Sequence, residues 1–175
     1  NMLSVEAALE KILQKFSVLE SVSSIISESL GMVISEDIIS HINIPPTNNS
    51  AMDGYAVISN DVKEATKQKP IFLTVTATLG AGDLPNIAVH SGTAIRIMTG
   101  APIPAGADAV IPFEETTDMD QDIVNPNKHI GIKTYVQPKT YIRNCGSDVK
   151  KKEKILSVGT KITPPVIGVL ASLGH

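Results

Sequence analysis

Ile71-Phe72-Leu73-Thr74-Val75-Thr76-Ala77-Thr78-Leu79 alternates aliphatic residues with Phe and three threonines. That period of two is the pattern of a β-strand with one face turned to a core. Gly80-Ala81-Gly82-Asp83 follows as a turn. Beyond it, residues 93–98 and 109–113 are rich in β-branched and small apolar residues, and a Gly- and Pro-dense loop at 99–108 separates them. Residues 123–124 and 130–136 flank Asn125-Pro126-Asn127 as further strand candidates. No helical periodicity lies between these strands. A parallel doubly wound sheet needs crossover helices, so a small antiparallel barrel or bent sheet is expected here.

Upstream, Val5, Ala8, Leu9, Ile12, Leu13 and Phe16 fall on one helical stripe, with Ser4 as N-cap and Glu6 at the positive end of the helix. A second short helix is expected over 24–30, with Gly31 taking the left-handed position at its end. Short strand-like pieces follow at 33–34 and 38–39. Pro45-Pro46 then opens a loop that runs to Gly54. Downstream, Lys154-Ile155-Leu156 and Lys161-Ile162 flank Val158-Gly159-Thr160, a hairpin-like turn. Thr163-Pro164-Pro165 caps and starts an apolar helix at 166–173. The fold class is α+β. The chain stops while that apolar run has just formed, so it reads as part of a longer protein.

The 175 residues carry 15 basic and 18 acidic side chains, for a net charge of −3. The longest basic run is Lys150-Lys151-Lys152, which gives no electrostatic case for nucleic acid. Aromatics make up 3% of the chain and Trp is absent, so the core must be aliphatic and base-stacking platforms are scarce. No apolar window is long enough for a membrane span, and no secretory leader is recognisable. One cysteine, Cys145, excludes an internal disulfide and fits a cytoplasmic, reducing location.

Three loops place Gly or Pro beside polar groups. In Asn49-Ser50-Ala51-Met52-Asp53-Gly54-Tyr55, Asp53 can bind Mg²⁺ or a polar ligand, or simply cap an Asp-Gly turn. In the loop after Arg96, the Thr99 hydroxyl and the N–H groups of Gly100 and Ala101 can receive an anion, or the prolines can simply make a rigid connection. In Arg143-Asn144-Cys145-Gly146-Ser147-Asp148, Arg143 offers a fork for phosphate or carboxylate, and Asp148 a carboxylate for metal or for pairing with that Arg. Glu114 and Glu115 follow a strand, and one of them can reach a site. The four histidines show no metal-ligand spacing.

Together the loops resemble one family. Residues 49–57 are similar to the NSAMDGYA signature of the MoeA and gephyrin E-domain family, the molybdopterin molybdenumtransferases. Ile95-Arg96-Ile97-Met98-Thr99-Gly100-Ala101-Pro102, continuing through Gly106-Ala107-Asp108-Ala109-Val110, resembles its RIMTGAPxPxGADAV stretch, with Glu114 at the following glutamate. Residues 143–148 are similar to its RxxGxD turn.

The resemblance implies an elongated linker and dimerisation subdomain from residues 1–45 and 139–175. A β-rich lobe of 46–138 would be inserted in it, and a substrate-binding domain would lie downstream. It implies insertion of molybdenum from molybdate into adenylylated molybdopterin, with release of AMP and assistance from Mg²⁺. Asp53, Thr99 and Asp148 fall on the family's cleft positions, with Asp53 and Asp148 as metal ligands. Ser50, Gly100, Arg143 and Glu114 are expected to contact or shape the substrate site. The cleft is expected to be completed by the partner of a homodimer, and this part alone to be inactive. The alternative is a scaffold or peptide-binding module, as in gephyrin-like relatives.

Overall fold

The computed structural model describes residues 3–120 and 129–175. The chain divides into two units, Asn1–Ile38 with Lys154–His175, and Ile39–Glu153.

The larger unit is built around the alternating strand at Ile71–Leu79. In chain order its strands are β2 (Asn49–Ser50), β3 (Gly54–Val57), β4 (Ile71–Leu79), β5 (Thr93–Ile97), β6 (Ala109–Pro112), β7 (His129–Ile132) and β8 (Ile142–Arg143). β1 (Ile38–Ile39) precedes them and pairs with β9 (Lys154–Leu156). Five strands form one sheet in the order β6-β3-β5-β4-β7. Three of its pairings are antiparallel, as expected. The fourth is not: β4 and β5 run parallel, Val75 opposite Ala94 and Leu79 opposite Ile97. The chain between them is long enough to carry β5 back to the start of β4 without a helix, and that possibility is invisible to a search for helical periodicity. The expected strand at 123–124 lies outside the described residues.

Both faces of this sheet are covered. Tyr55, Val57, Leu73, Val75 and Ile111 join one apolar cluster with Ile130 and Ile132. Ala56, Ile95, Ile97 and Val110 join a second with Leu79 and Val89. Neighbouring residues of β3 and β6 therefore enter opposite cores, and every residue of both strands is buried. The register of β4 shifts between Val75 and Ala77. Leu73 and Val75 enter the first cluster, while Ala77 and Leu79 pack on the second. Such an irregularity bends a strand, and here residues of one parity serve both cores. With Trp absent, β-branched side chains fill these interiors, each contributing roughly 1.5–3 kcal/mol on full burial.

In the smaller unit, α1 (Val5–Leu13) starts where Ser4 accepts a hydrogen bond from the Ala7 N–H. Its apolar stripe is uncovered: Val5 is 80% exposed and Phe16, just beyond the helix, 75%. The expected helix at 24–30 is only a 3₁₀ turn, Ile26–Glu28. β-Branched Ile25 and Ile26 and the serines around them favour such a short element over a longer helix. Gly31 does take a left-handed φ of 85°. The turn around Gly159 also forms, closed by the Thr160 N–H on the Ser157 carbonyl. Its flanks do not pair with each other, however: β9 pairs with β1, and Lys161 bridges Val33. α2 (Pro164–Leu173) begins on two prolines and ends at left-handed Gly174; Thr163 occupies the cap position without a side-chain cap bond. Ile34, Ile162 and Leu170 form the small core of this unit.

Candidate functional site

The three loops singled out in the sequence meet on β2. One side of this two-residue strand faces β8, with Asn49 opposite Arg143 and Ser50 opposite Ile142. On its other side, Gly100 N–H donates to the Ser50 carbonyl and Ser50 N–H to the Ala101 carbonyl, both at 2.9 Å. Ala51 N–H reaches the Tyr141 carbonyl at 2.9 Å. Two residues thus set the register of the Asp53 loop, the Thr99 loop and the strand that leads to Asp148.

Asp53 and Thr99 are in direct contact. Oδ1 of Asp53 accepts from the Thr99 backbone N–H at 2.6 Å and from the Thr99 hydroxyl at 2.7 Å. Both residues are exposed. The Thr99 N–H first, then its hydroxyl, hold the Asp53 carboxyl below the usual carboxylate range, and the charge of Arg96 adds to this. The two donors converge on one oxygen, so Oδ2 has no donor among the described residues. Phe113 N–H also donates to the Asp53 carbonyl at 3.3 Å. That bond places exposed Glu114 on the turn next to the Asp53 loop.

Arg143 and Asp148 form a separate pair. One guanidinium nitrogen, Nη2, donates to both carboxylate oxygens, at 2.9 and 2.6 Å, and the Ser147 hydroxyl donates at 3.2 Å. The two side chains are each 49% exposed. Asn48 Oδ1 accepts from the Cys145 N–H, and the Cys145 thiol donates to the Pro46 carbonyl, so Cys145 secures this turn.

Two expectations need correction. Ser50 is completely buried, and its hydroxyl donates to the Met52 carbonyl at 2.5 Å. It shapes the Asp53 loop and cannot touch a substrate. Nor are the N–H groups after Thr99 free for an anion: Gly100 N–H is held by Ser50, and Ala101 N–H donates to the Met98 carbonyl. Gly100 contributes its left-handed φ of 83°, which lets the chain turn between Thr99 and β2.

The same geometry does not suit Mg²⁺. Among the described residues no three His, Cys, Asp or Glu side chains are placed to share a cation. Asp148 already carries the charge of Arg143, and Asp53 stands with one open oxygen. The described side chains do not frame a divalent-ion site.

A neighbouring network joins Tyr55, Asp118, Arg96 and Phe113. The Tyr55 hydroxyl donates to Asp118 at 2.6 Å, Arg96 lies 3.9 Å from the same carboxylate, and the Arg96 guanidinium sits 4.8 Å above the Phe113 ring. Burial first, then the hydrogen bond to Asp118 and after it the Asp118 charge, push the Tyr55 phenol up. The available signal was an arginine in the middle of an otherwise apolar strand, opposite Tyr55 in register. Asp118 itself had no sequence signature.

An α+β chain whose site loops converge on one short strand is a recognisable architecture. The chain belongs to the family described as MoeA N-terminal region (domain I and II), which matches residues 3–174. It is 38% identical over 149 residues to "Molybdopterin molybdenumtransferase 2" of Mycobacterium tuberculosis, a match covering 85% of this chain and 35% of that protein. It is 37% identical over 174 residues to the molybdopterin molybdenumtransferase of Haemophilus influenzae, covering 99% of this chain and 40% of the relative. The crystal structure of the molybdopterin biosynthesis MoeA protein from Pyrococcus horikoshii superposes with a TM-score of 0.87 at 33% identity, covering 99% of this chain and 44% of that one. The chain therefore spans well under half the length of these relatives.

Proposed function

We propose that this chain supplies the leading subdomains of a molybdopterin molybdenumtransferase, which inserts molybdenum from molybdate into adenylylated molybdopterin and releases AMP. The observation that carries this reading is the exposed Asp53–Thr99 pair, at the motif positions through which the family resemblance enters. A carboxylate held ionised by two donors is a poor proton acceptor near neutrality and a good hydrogen-bond acceptor. Asp53 accordingly acts as an anionic anchor that orients substrate through its open oxygen. Thr99 positions it, since the Thr99 hydroxyl proton is already given to Asp53. Arg143 and Asp148 form a charge-balanced rim, with Glu114 beside the Asp53 loop.

The residues absent from this chain, compared with its relatives, would supply the main pterin-binding surface, and a second protomer would complete the cleft. The uncovered stripe of α1 supports such an interface. It is also the feature that favours the scaffold reading. Among the described residues no helix is long and apolar enough to cross a membrane; cytoplasmic work on a small-molecule substrate is part of the proposal.

The test is AMP release and molybdenum incorporation by the full-length protein carrying Asp53→Asn. Loss of both with an unchanged circular dichroism spectrum is expected. Full retention of both would overturn the role of Asp53, and a wild-type protein inactive on adenylylated molybdopterin but binding a peptide would favour the scaffold.

A further inference from the structure

The turn that carries Asp148 runs directly into Lys150-Lys151-Lys152, and the two borders enclose a surface cavity of about 440 Å³ lined by residues 146–148 and 150–153. Its frame is held by backbone bonds. Lys150 N–H donates to Glu153 Oε2, Lys151 N–H to Asn43 Oδ1 and Lys152 N–H to the Ser40 carbonyl, at 2.9, 2.8 and 2.7 Å. On the opposite border, Gly146 N–H donates to the Pro45 carbonyl and Asp148 N–H to the Ile44 carbonyl. Gly146 has a left-handed φ of 68°, and a Cβ there would lie 3.0 Å from Asn43 Oδ1 and 3.5 Å from Lys150 Cγ. The missing side chain lets the Lys150 stem lie over the turn.

The charges are unevenly satisfied. Asp148 is neutralised by Arg143, and Glu153 caps the lysine turn. Among the described residues no carboxylate pairs with Lys150, Lys151 or Lys152. All three are exposed and line the cavity, so positive charge is in excess there. The backbone N–H groups are used internally, which leaves ammonium groups as the recognising element. Ammonium groups bind phosphate as point charges without demanding one geometry.

We propose that this cavity is a phosphate-binding subsite, contiguous with Asp148, which receives the phosphate of a nucleotide-bearing substrate. The identification with that substrate rests on the function proposed above; the binding of phosphate does not.

The experiment is titration of the ¹⁵N-labelled full chain with inorganic phosphate at low ionic strength, followed by amide shifts. Saturable shifts confined to residues 143–153 are expected, fading with added salt. Lys150→Ala/Lys151→Ala/Lys152→Gly should weaken binding about tenfold, since each exposed charge contributes a few-fold. Glycine at 152 preserves the left-handed backbone of that residue, φ 72°. The matching triple Arg variant should retain binding. AMP in place of phosphate should shift the same amides, and so should molybdate, since the ammonium groups recognise charge rather than one geometry. Absent shifts, shifts outside this turn, undiminished binding in a folded triple variant, or molybdate alone binding would each overturn the subsite. Failure here beside an inactive Asp53→Asn protein would leave the proposed function standing; phosphate binding beside a fully active Asp53→Asn protein would do the reverse.

Discussion

The loop of Asp53 and the turn of Asp148 both present an exposed carboxylate, but the two are satisfied by opposite means. Asp53 is held by neutral donors from Thr99 that converge on one oxygen. Asp148 is held by a cation that covers both oxygens. The first arrangement fixes direction and leaves net negative charge and one free oxygen. The second cancels the charge and fixes a border. Residues of the same type, on segments tied to the same two-residue strand, are thereby suited to different work: one to hold a ligand, the other to shape what surrounds it.

Both carboxylates depend most on the backbone frame that carries them. Gly54 follows Asp53, and a Cβ there would collide with the Ile111 carbonyl across the β3–β6 pairing. Gly54→Ala should destabilise the larger unit by about 4 kcal/mol or more, measured by denaturant unfolding, and disorder the Asp53 loop with it. Asp53→Asn should cost on the order of 100-fold in AMP release with little change in stability, because it removes charge from an exposed site.

Thr99→Val sharpens the contrast. It removes the hydroxyl donor but keeps the N–H, and should lower AMP release about tenfold while Thr99→Ser restores it. The Asp53 carboxyl should titrate at higher pH in Thr99→Val, as followed by carboxyl NMR. The sign follows from the depressed native value. Asp53 contributes stability above the ordinary Asp range, near 4, and that contribution disappears as pH falls through its folded value. In the variant it should disappear at higher pH. The smallest effect is expected at the other carboxylate: Asp148→Asn should change unfolding free energy by less than about 1 kcal/mol, since an exposed ion pair contributes little.

The regular parts of this fold were legible because their signals are local. The alternation over Ile71–Leu79 matches β4 from end to end, and Ser4 caps α1 as its position suggests. The parallel β4–β5 pairing and the face switch at the irregularity in β4 were not legible, since both depend on which strand lies alongside. At the site, Asp53 and Thr99 could be nominated from their motifs, and their mutual contact across 46 positions in sequence follows only from the fold. Ser50 could be misread because its hydroxyl looks free in a sequence and is spent in the structure. The Tyr55–Asp118 bond spans 63 positions, and nothing local to Asp118 announces it.

β2 is only two residues long, yet three segments hang on it. Inserting or deleting a single residue at Asn49 or Ser50 would slide all the attached segments out of step together, because no spare ladder exists to absorb the slip. In the connection between β4 and β5, the stretch around exposed Leu84, ahead of buried Val89, has no comparable duty. Length variation should therefore be tolerated there and lethal at β2, which makes this tiny strand the least editable part of the molecule.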